Sequence, residues 1–251
     1  MIRLEGLTKR FGDFAAVDGL DLEVEAGEMV ALLGRNGAGK TTALRTLAGI
    51  LRPDGGRAVI AGHDVVEEPE LAKGELGYVP DRPYVYEKVT GRELLRFSAG
   101  LHGERGEHVE ERIDELLELW DLTPRGDRLV ESYSHGMRQK LIISGALVHR
   151  PQVLVVDEPM VGMDPQAARI FRNLVRSFAS RGGTVLISTH TLQFAEALAD
   201  RLAVVNEGQL LAQGTMEELR RRAETERGDL EEIFLRLTGD VSDRMLAGVL
   251  E

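Results

Sequence analysis

Apolar and polar positions along this chain change period several times, and each change predicts an element. Residues 2–7 alternate apolar and polar, which predicts a half-buried strand, and a second alternating run covers 16–24 before the Glu25-Ala26-Gly27-Glu28 turn. Residues 29–33 are continuously apolar, as in a strand buried on both faces. Leu44, Leu47 and Leu51 then recur at helical spacing, and Arg52-Pro53-Asp54-Gly55-Gly56 makes a turn before a strand at 57–61. Leu76-Gly77-Tyr78-Val79-Pro80-Asp81 reads as a short strand stopped by proline. From about 82 to 150 the period becomes helical. Thr90-Gly91-Arg92-Glu93 has the form of a capping box, and 107–120 places Val109, Ile113, Leu116, Leu117 and Trp120 on one face, with a solvated row of carboxylates opposite.

Past Pro151 the strand–helix alternation resumes. Val153-Leu154-Val155-Val156 is a buried strand ending in Asp157-Glu158-Pro159, and a helix follows with Ile170, Phe171, Leu174, Val175 and Phe178. Strands are predicted at 184–189 and 202–205, the latter running into an Asn206-Glu207-Gly208-Gln209 hairpin turn. Beyond Gly214 the chain is charged and helical, with Leu230, Ile233, Phe234 and Leu237 on one stripe. No internal repeat or low-complexity linker breaks the frame. The pattern predicts one α/β domain carrying an inserted helical lobe.

Candidate chemistry concentrates at the ends of these elements. Gly34-Arg35-Asn36-Gly37-Ala38-Gly39-Lys40-Thr41-Thr42 lies between the 29–33 strand and the following helix, the context a phosphate-binding loop requires. Glycines let successive amides converge on a phosphate chain, Lys40 supplies a point charge, and the Thr41 hydroxyl can ligate Mg²⁺. Asp157 at a buried strand tip can hold Mg²⁺, while Glu158 can polarise an attacking water. Ser134-His135-Gly136 opens a further helix. By itself it reads as an N-cap; beside a phosphate loop it also reads as a second anion site. His190 ends a strand, where a structural role and a γ-phosphate contact both remain open. Phe11, between two strands, reads from the pattern as a core aromatic.

Composition narrows the setting. A hydrophobic content of 43% over 251 residues supports a sizeable core. The absence of cysteine excludes disulfides and thiolate metal sites. A net charge of −11 argues against a nucleic-acid partner, because neutralising phosphates takes clustered Lys and Arg. The N-terminus lacks the long apolar region of a signal peptide, and no apolar run approaches a membrane span, so a cytoplasmic address is expected.

Together these residues resemble the nucleotide-binding subunit of an ATP-binding cassette (ABC) transporter, in order, from Ile2 to about Leu237. Residues 34–42 match the Walker A motif and 153–157 the Walker B strand, followed by the catalytic glutamate, Glu158. Residues 134–139 are similar to the family signature, Gly162-Met163-Asp164-Pro165 to the D-loop, and His190 to the switch histidine. The resemblance implies a P-loop NTPase (RecA-like) core with an N-terminal antiparallel β subdomain and an inserted α-helical subdomain. It places an ATPase domain at 1–237, with its lobe at about 82–150, and a C-terminal helical tail at 215–251. It also implies ATP and Mg²⁺ as cofactors, with catalytic roles for Glu158, His190 and Lys40. Nucleotide contacts would come from Phe11, now stacking on adenine, and from Asn36, Gly37, Gly39, Lys40, Thr41, Thr42, Ser134 and Gly136. Metal contacts would come from Thr41, Asp157 and Asp81.

Two departures stand out. Asp81 replaces the usual Q-loop glutamine, which shortens the side chain and adds a charge. His135 and Met137 replace the usual glycine and glutamine of the signature. Both resemble cassettes of the drug-exporter (ABC-2-like) type. The family implies two cassettes sandwiching two ATPs, with Ser134 and Gly136 of one copy facing the Walker residues of a second copy or another ABC subunit. It also implies a polytopic membrane permease that would hold the protein at the inner face of the cell membrane. Residues 82–89 fall where the permease would dock, so Tyr84, Val85 and Tyr86 read either as docking residues or as lobe core. The competing expectation is a soluble ABC ATPase of an assembly machine, such as iron–sulfur cluster biogenesis. No Asn-Lys-x-Asp guanine motif points to a GTPase.

Overall fold

The computed structural model describes residues 1–239 apart from 83, 161, 226 and 227. Strands β1 (Ile2–Phe11) and β2 (Phe14–Val24) form an antiparallel hairpin. They join β4 (Gly55–Ile60) and the short β5 (His63–Asp64) in a four-stranded sheet of order β2-β1-β4-β5. The second sheet has six strands in the order β10-β9-β3-β8-β7-β6. Its members are β3 (Met29–Leu33), β6 (Leu76–Val79), β7 (Val153–Asp157), β8 (Thr184–Thr189), β9 (Arg201–Asn206) and β10 (Gln209–Gly214). All of its pairings are parallel except the β9–β10 hairpin at one edge.

The parallel strands are continuously apolar because both faces are covered. Val153 and Val155 of β7 pack with Leu44 and Leu47 of α1 (Lys40–Leu47) and with the N-terminal sheet, while Leu154 and Val156 face a second core. That second core contains α3 (Gly91–Leu101), α4 (Glu107–Leu119), α5 (His135–Leu147) and α6 (Pro165–Ser180). Burying each such Val or Leu contributes on the order of 1.5–3 kcal/mol.

Helices α3 to α5 lie between β6 and β7 in sequence, as the change of period predicts. Both reciprocal bonds of the Thr90–Glu93 capping box form. The α4 stripe is buried as expected, with Trp120 just beyond it. In α6 the stripe is shifted from expectation: Ala167, Phe171, Val175 and Ala179 are buried, whereas Ile170, Leu174 and Phe178 are only partly so. Small alanines bring the helix close to the sheet, so the larger residues flank the contact. Strand β5 and helix α2 (Pro69–Gly74) were not expected; both are too short to show a period. Helix α7 (Leu192–Leu198) follows β8, and α8 (Met216–Arg222) and α9 (Leu230–Thr238) follow β10. Residues 240–251 of the expected tail lie outside the described residues. Among the described residues no helix is long and apolar enough to cross a membrane.

Candidate functional site

The C-terminal ends of β3, β7 and β8 bring the phosphate loop, Asp157, Glu158 and His190 to one edge of the parallel sheet. The loop after β3 needs its glycines for close approach. A Cβ on Gly34 would stand 2.5 Å from the Val205 carbonyl, and one on Gly39, whose φ is +101°, would stand 2.3 Å from that of Ala16. Gly39 also sits at the N-cap of α1, where no side chain caps the first turn. Such a helix start presents N–H groups to an anion.

A cleft of about 370 Å³ opens here, bordered by residues 36–42 of the loop with Phe11, Phe14, Asp81 and Glu158. Lys40 is only 6% exposed. Its Nζ donates to the Gly34 carbonyl at 2.7 Å and lies 3.5 Å from Glu158 Oε1. Glu158 holds a left-handed φ of +49°, fixed by its N–H donating to the Ser188 carbonyl at 3.1 Å. Such a conformation costs a non-glycine residue on the order of 1–3 kcal/mol, and here it belongs to the residue that closes the cleft. The other carboxylate oxygen accepts from His190 Nδ1 at 2.8 Å and from the His190 N–H at 3.3 Å. An ionised carboxylate only accepts, so Nδ1 carries the proton.

Asp157 is fully buried. The Ser188 hydroxyl donates to its Oδ1, while Oδ2 has no hydrogen-bond partner. Burial pushes its carboxyl above the usual range; the neighbouring Ser188 and Thr41 side chains pull it down, and the charges of Asp81 and Glu158 raise it further. An orphaned buried carboxylate oxygen beside a threonine hydroxyl suits a hard divalent cation. Asp81 borders the cleft but is engaged elsewhere: its Oδ1 pairs with Arg45 Nη2 at 3.1 Å.

The hairpin tip places Phe11 opposite Phe14, with Phe11 52% exposed and Lys9 Nζ 5.7 Å from its ring centroid. This overturns the core role that the pattern alone gives Phe11, because the β1–β2 pairing carries it past the packed part of the sheet. Phe14 and Arg45 were missed by sequence reasoning. A second exposed aromatic three residues on was a usable signal for the first; nothing local marked the second.

Ser134 and Gly136 are not brought to this cleft. Ser134 Oγ caps α5 by accepting from the Met137 N–H at 3.3 Å. Gly136 faces the D-loop segment, where a Cβ would stand 2.9 Å from the Gly162 carbonyl, and the His135 ring packs on Gly162. Asp164 of that segment caps α6, accepting from the Ala167 N–H at 2.8 Å.

Comparison with known proteins shows the family. The profile of the ABC transporter family matches residues 17–161. Daunorubicin resistance ATP-binding protein DrrA3 of Streptomyces coeruleorubidus is 42% identical over 240 residues, covering 96% of this chain and 75% of that protein. The Nod factor export ATP-binding protein I of Burkholderia lata is 40% identical, covering 85% of this chain and 70% of that protein. A solved ATP-binding subunit of an ABC transporter superposes with a TM-score of 0.90 at 30% identity, covering 94% of this chain and 99% of that one. The antiparallel N-terminal sheet, the P-loop NTPase core and the helices inserted before β7 are thus those of an ATPase cassette, and the chain belongs to the ABC transporter family.

Proposed function

We propose that this protein is the ATP-hydrolysing subunit of an exporter, closing on a second cassette around ATP and driving a separate membrane permease. The observation that carries this reading is the division of the site. Lys40 and Glu158 meet in one cleft, with His190 hydrogen-bonded to Glu158 and Asp157 buried next to it in sequence, while Ser134 and Gly136 lie outside it at the start of α5. A second copy, or another ABC subunit, supplies that missing half. Losing the γ-phosphate then removes the bridge between the two cassettes, a ligand acting through contacts present in one state only.

Within one cassette, Phe11 stacks on the adenine, while Asn36, Gly37, Gly39 and Thr42 border the phosphates and Lys40 pairs with them. Glu158 orients and deprotonates the attacking water, and His190 holds its carboxylate. Asp157 and Thr41 are the groups placed to hold Mg²⁺, with Asp81 at the rim; the ion, when bound, neutralises phosphate charge.

The ATPase domain occupies 1–237, with a helical lobe at about 82–150 and a tail from 215. The permease docks on the lobe side, where a second cavity of about 420 Å³ is bordered by Tyr84, Val85, Tyr86, Phe97 and Leu101. Tyr84 and Tyr86 are exposed, which supports docking over core for these two, while Val85 packs against the lobe core. This docking holds the protein on the cytoplasmic face of the membrane.

The test is a pull-down of the tagged chain, wild type and Glu158→Gln, from detergent-solubilised membranes of its own host with ATP and Mg²⁺. Co-purification of a polytopic membrane protein is expected. Recovery with soluble partners alone would overturn the exporter reading in favour of an assembly machine.

A further inference from the structure

The cleft has a feature that the Walker residues do not require. Asp81 Oδ1 lies 3.1 Å from Arg45 Nη2, on the same helix that begins with Lys40 and Thr41. Arg45 follows Thr41 by four residues, so the two share one face of α1. The parallel register that pairs Val79 with Val156 carries the chain beyond β6 to the sheet edge where Asp157 and Glu158 emerge. Three carboxylates therefore gather there: Asp81, Asp157 and Glu158. Lys40 answers Glu158 at 3.5 Å, and Arg45 answers Asp81. Asp157 is left with an unpartnered Oδ2.

We propose that Arg45 is a positioning residue that sets the divalent-cation affinity of the cleft by holding the Asp81 carboxylate away from the cation. Two effects of the Arg45 charge act in the same direction. Its pairing with Asp81 competes with any metal contact of that side chain. Its positive field also lowers the attraction of the carboxylate cluster for a divalent ion. An uncharged side chain at position 81 would need no such partner, so the Arg45–Asp81 pair and the aspartate belong together. This inference rests on the cleft being the nucleotide site.

The experiment measures Mn²⁺ binding by electron paramagnetic resonance in the presence of a saturating non-hydrolysable ATP analogue, whose own binding is measured first. Arg45→Gln is expected to tighten Mn²⁺ binding on the order of tenfold, through release of Asp81 and loss of the opposing charge. Asp81→Asn is expected to weaken it. In the Asp81→Asn background, where no carboxylate is left to release, Arg45→Gln is expected to tighten Mn²⁺ binding by less than it does in the wild-type protein, so that the two changes are not additive. Arg45→Lys keeps the charge and is expected to behave as wild type. Equal Mn²⁺ affinity in all variants that bind the analogue would overturn the role of Arg45. So would an Arg45→Lys shift as large as that of Arg45→Gln, which would mark a packing effect. Failure of the wild-type protein to bind the analogue would instead overturn the nucleotide-site reading itself.

Discussion

Glu158 Oε1 lies 3.5 Å from Lys40 Nζ, an ion pair that joins the end of β7 to the start of α1 across the cleft. With Lys40 only 6% exposed and Glu158 also largely shielded, this charge is held ready for an anion instead of being solvated. On the proposed function, a bound phosphate would take the place of the carboxylate. Lys40→Ala is therefore expected to weaken ATP binding on the order of 10²-fold while leaving the fold intact. Isothermal titration calorimetry checks this, and unchanged affinity would remove Lys40 from the phosphate site.

Phe11 is half-exposed at the cleft rim. Stacking of a base on an aromatic face is worth about 1–3 kcal/mol, so Phe11→Ala is expected to weaken ATP binding by roughly 5- to 150-fold. Binding of inorganic triphosphate, which has no base, is expected to stay unchanged. Equal losses for both ligands would mean that Phe11 shapes the loop and does not hold the base.

The buried Asp157 links the site to stability. Its carboxyl titrates above its ordinary 3.8 because burial disfavours the charge. The folded state then holds this proton more tightly than the unfolded state does. Stability is lost as pH rises from about 3.8 through the raised value, and the cost of the buried charge is fully present above it. Asp157→Asn is expected to raise the metal-free melting temperature at pH 7 by a few degrees, with the gap closing as pH falls towards 4. Calorimetry across that range decides. An asparagine variant that is less stable at every pH would show that the carboxylate is already compensated without a cation.

Ser134 can be altered without losing its structural duty. Aspartate caps helices as well as serine does, so Ser134→Asp is expected to leave melting unchanged while placing a negative charge where the partner's triphosphate would sit. In a Glu158→Gln background, ATP should no longer produce a dimer by light scattering, although nucleotide binding by the single cassette persists. A dimer that still forms would place the interface elsewhere.

How much of this was legible in the sequence depends on distance along the chain. The phosphate loop and the Asp157–Glu158 strand tip are local patterns, readable because spacing and flanking periodicity lie within a few residues. The division of the site was also legible, but only through the order of motifs, since Ser134-x-Gly136 alone is an N-cap, and an N-cap is what Ser134 is in the single chain. The pairs Lys40–Glu158 and Arg45–Asp81 were not legible. They arise along the sheet edge where β3, β8, β7 and β6 end in that order, and no period records which strand ends meet. Phe11 shows the same limit. The pattern places it between two strands and in the core, but β1 extends to it and its exposure follows from a hairpin that outruns its sheet.

The central claim is that this cleft hydrolyses ATP with Glu158 acting on the water. Phosphate release and ATP binding measured together on wild type and Glu158→Gln test it most directly. The account predicts a loss of turnover of about 10²–10⁴-fold, with ATP bound at least as tightly because Lys40 no longer has a competing carboxylate. Turnover that survives the substitution would contradict it.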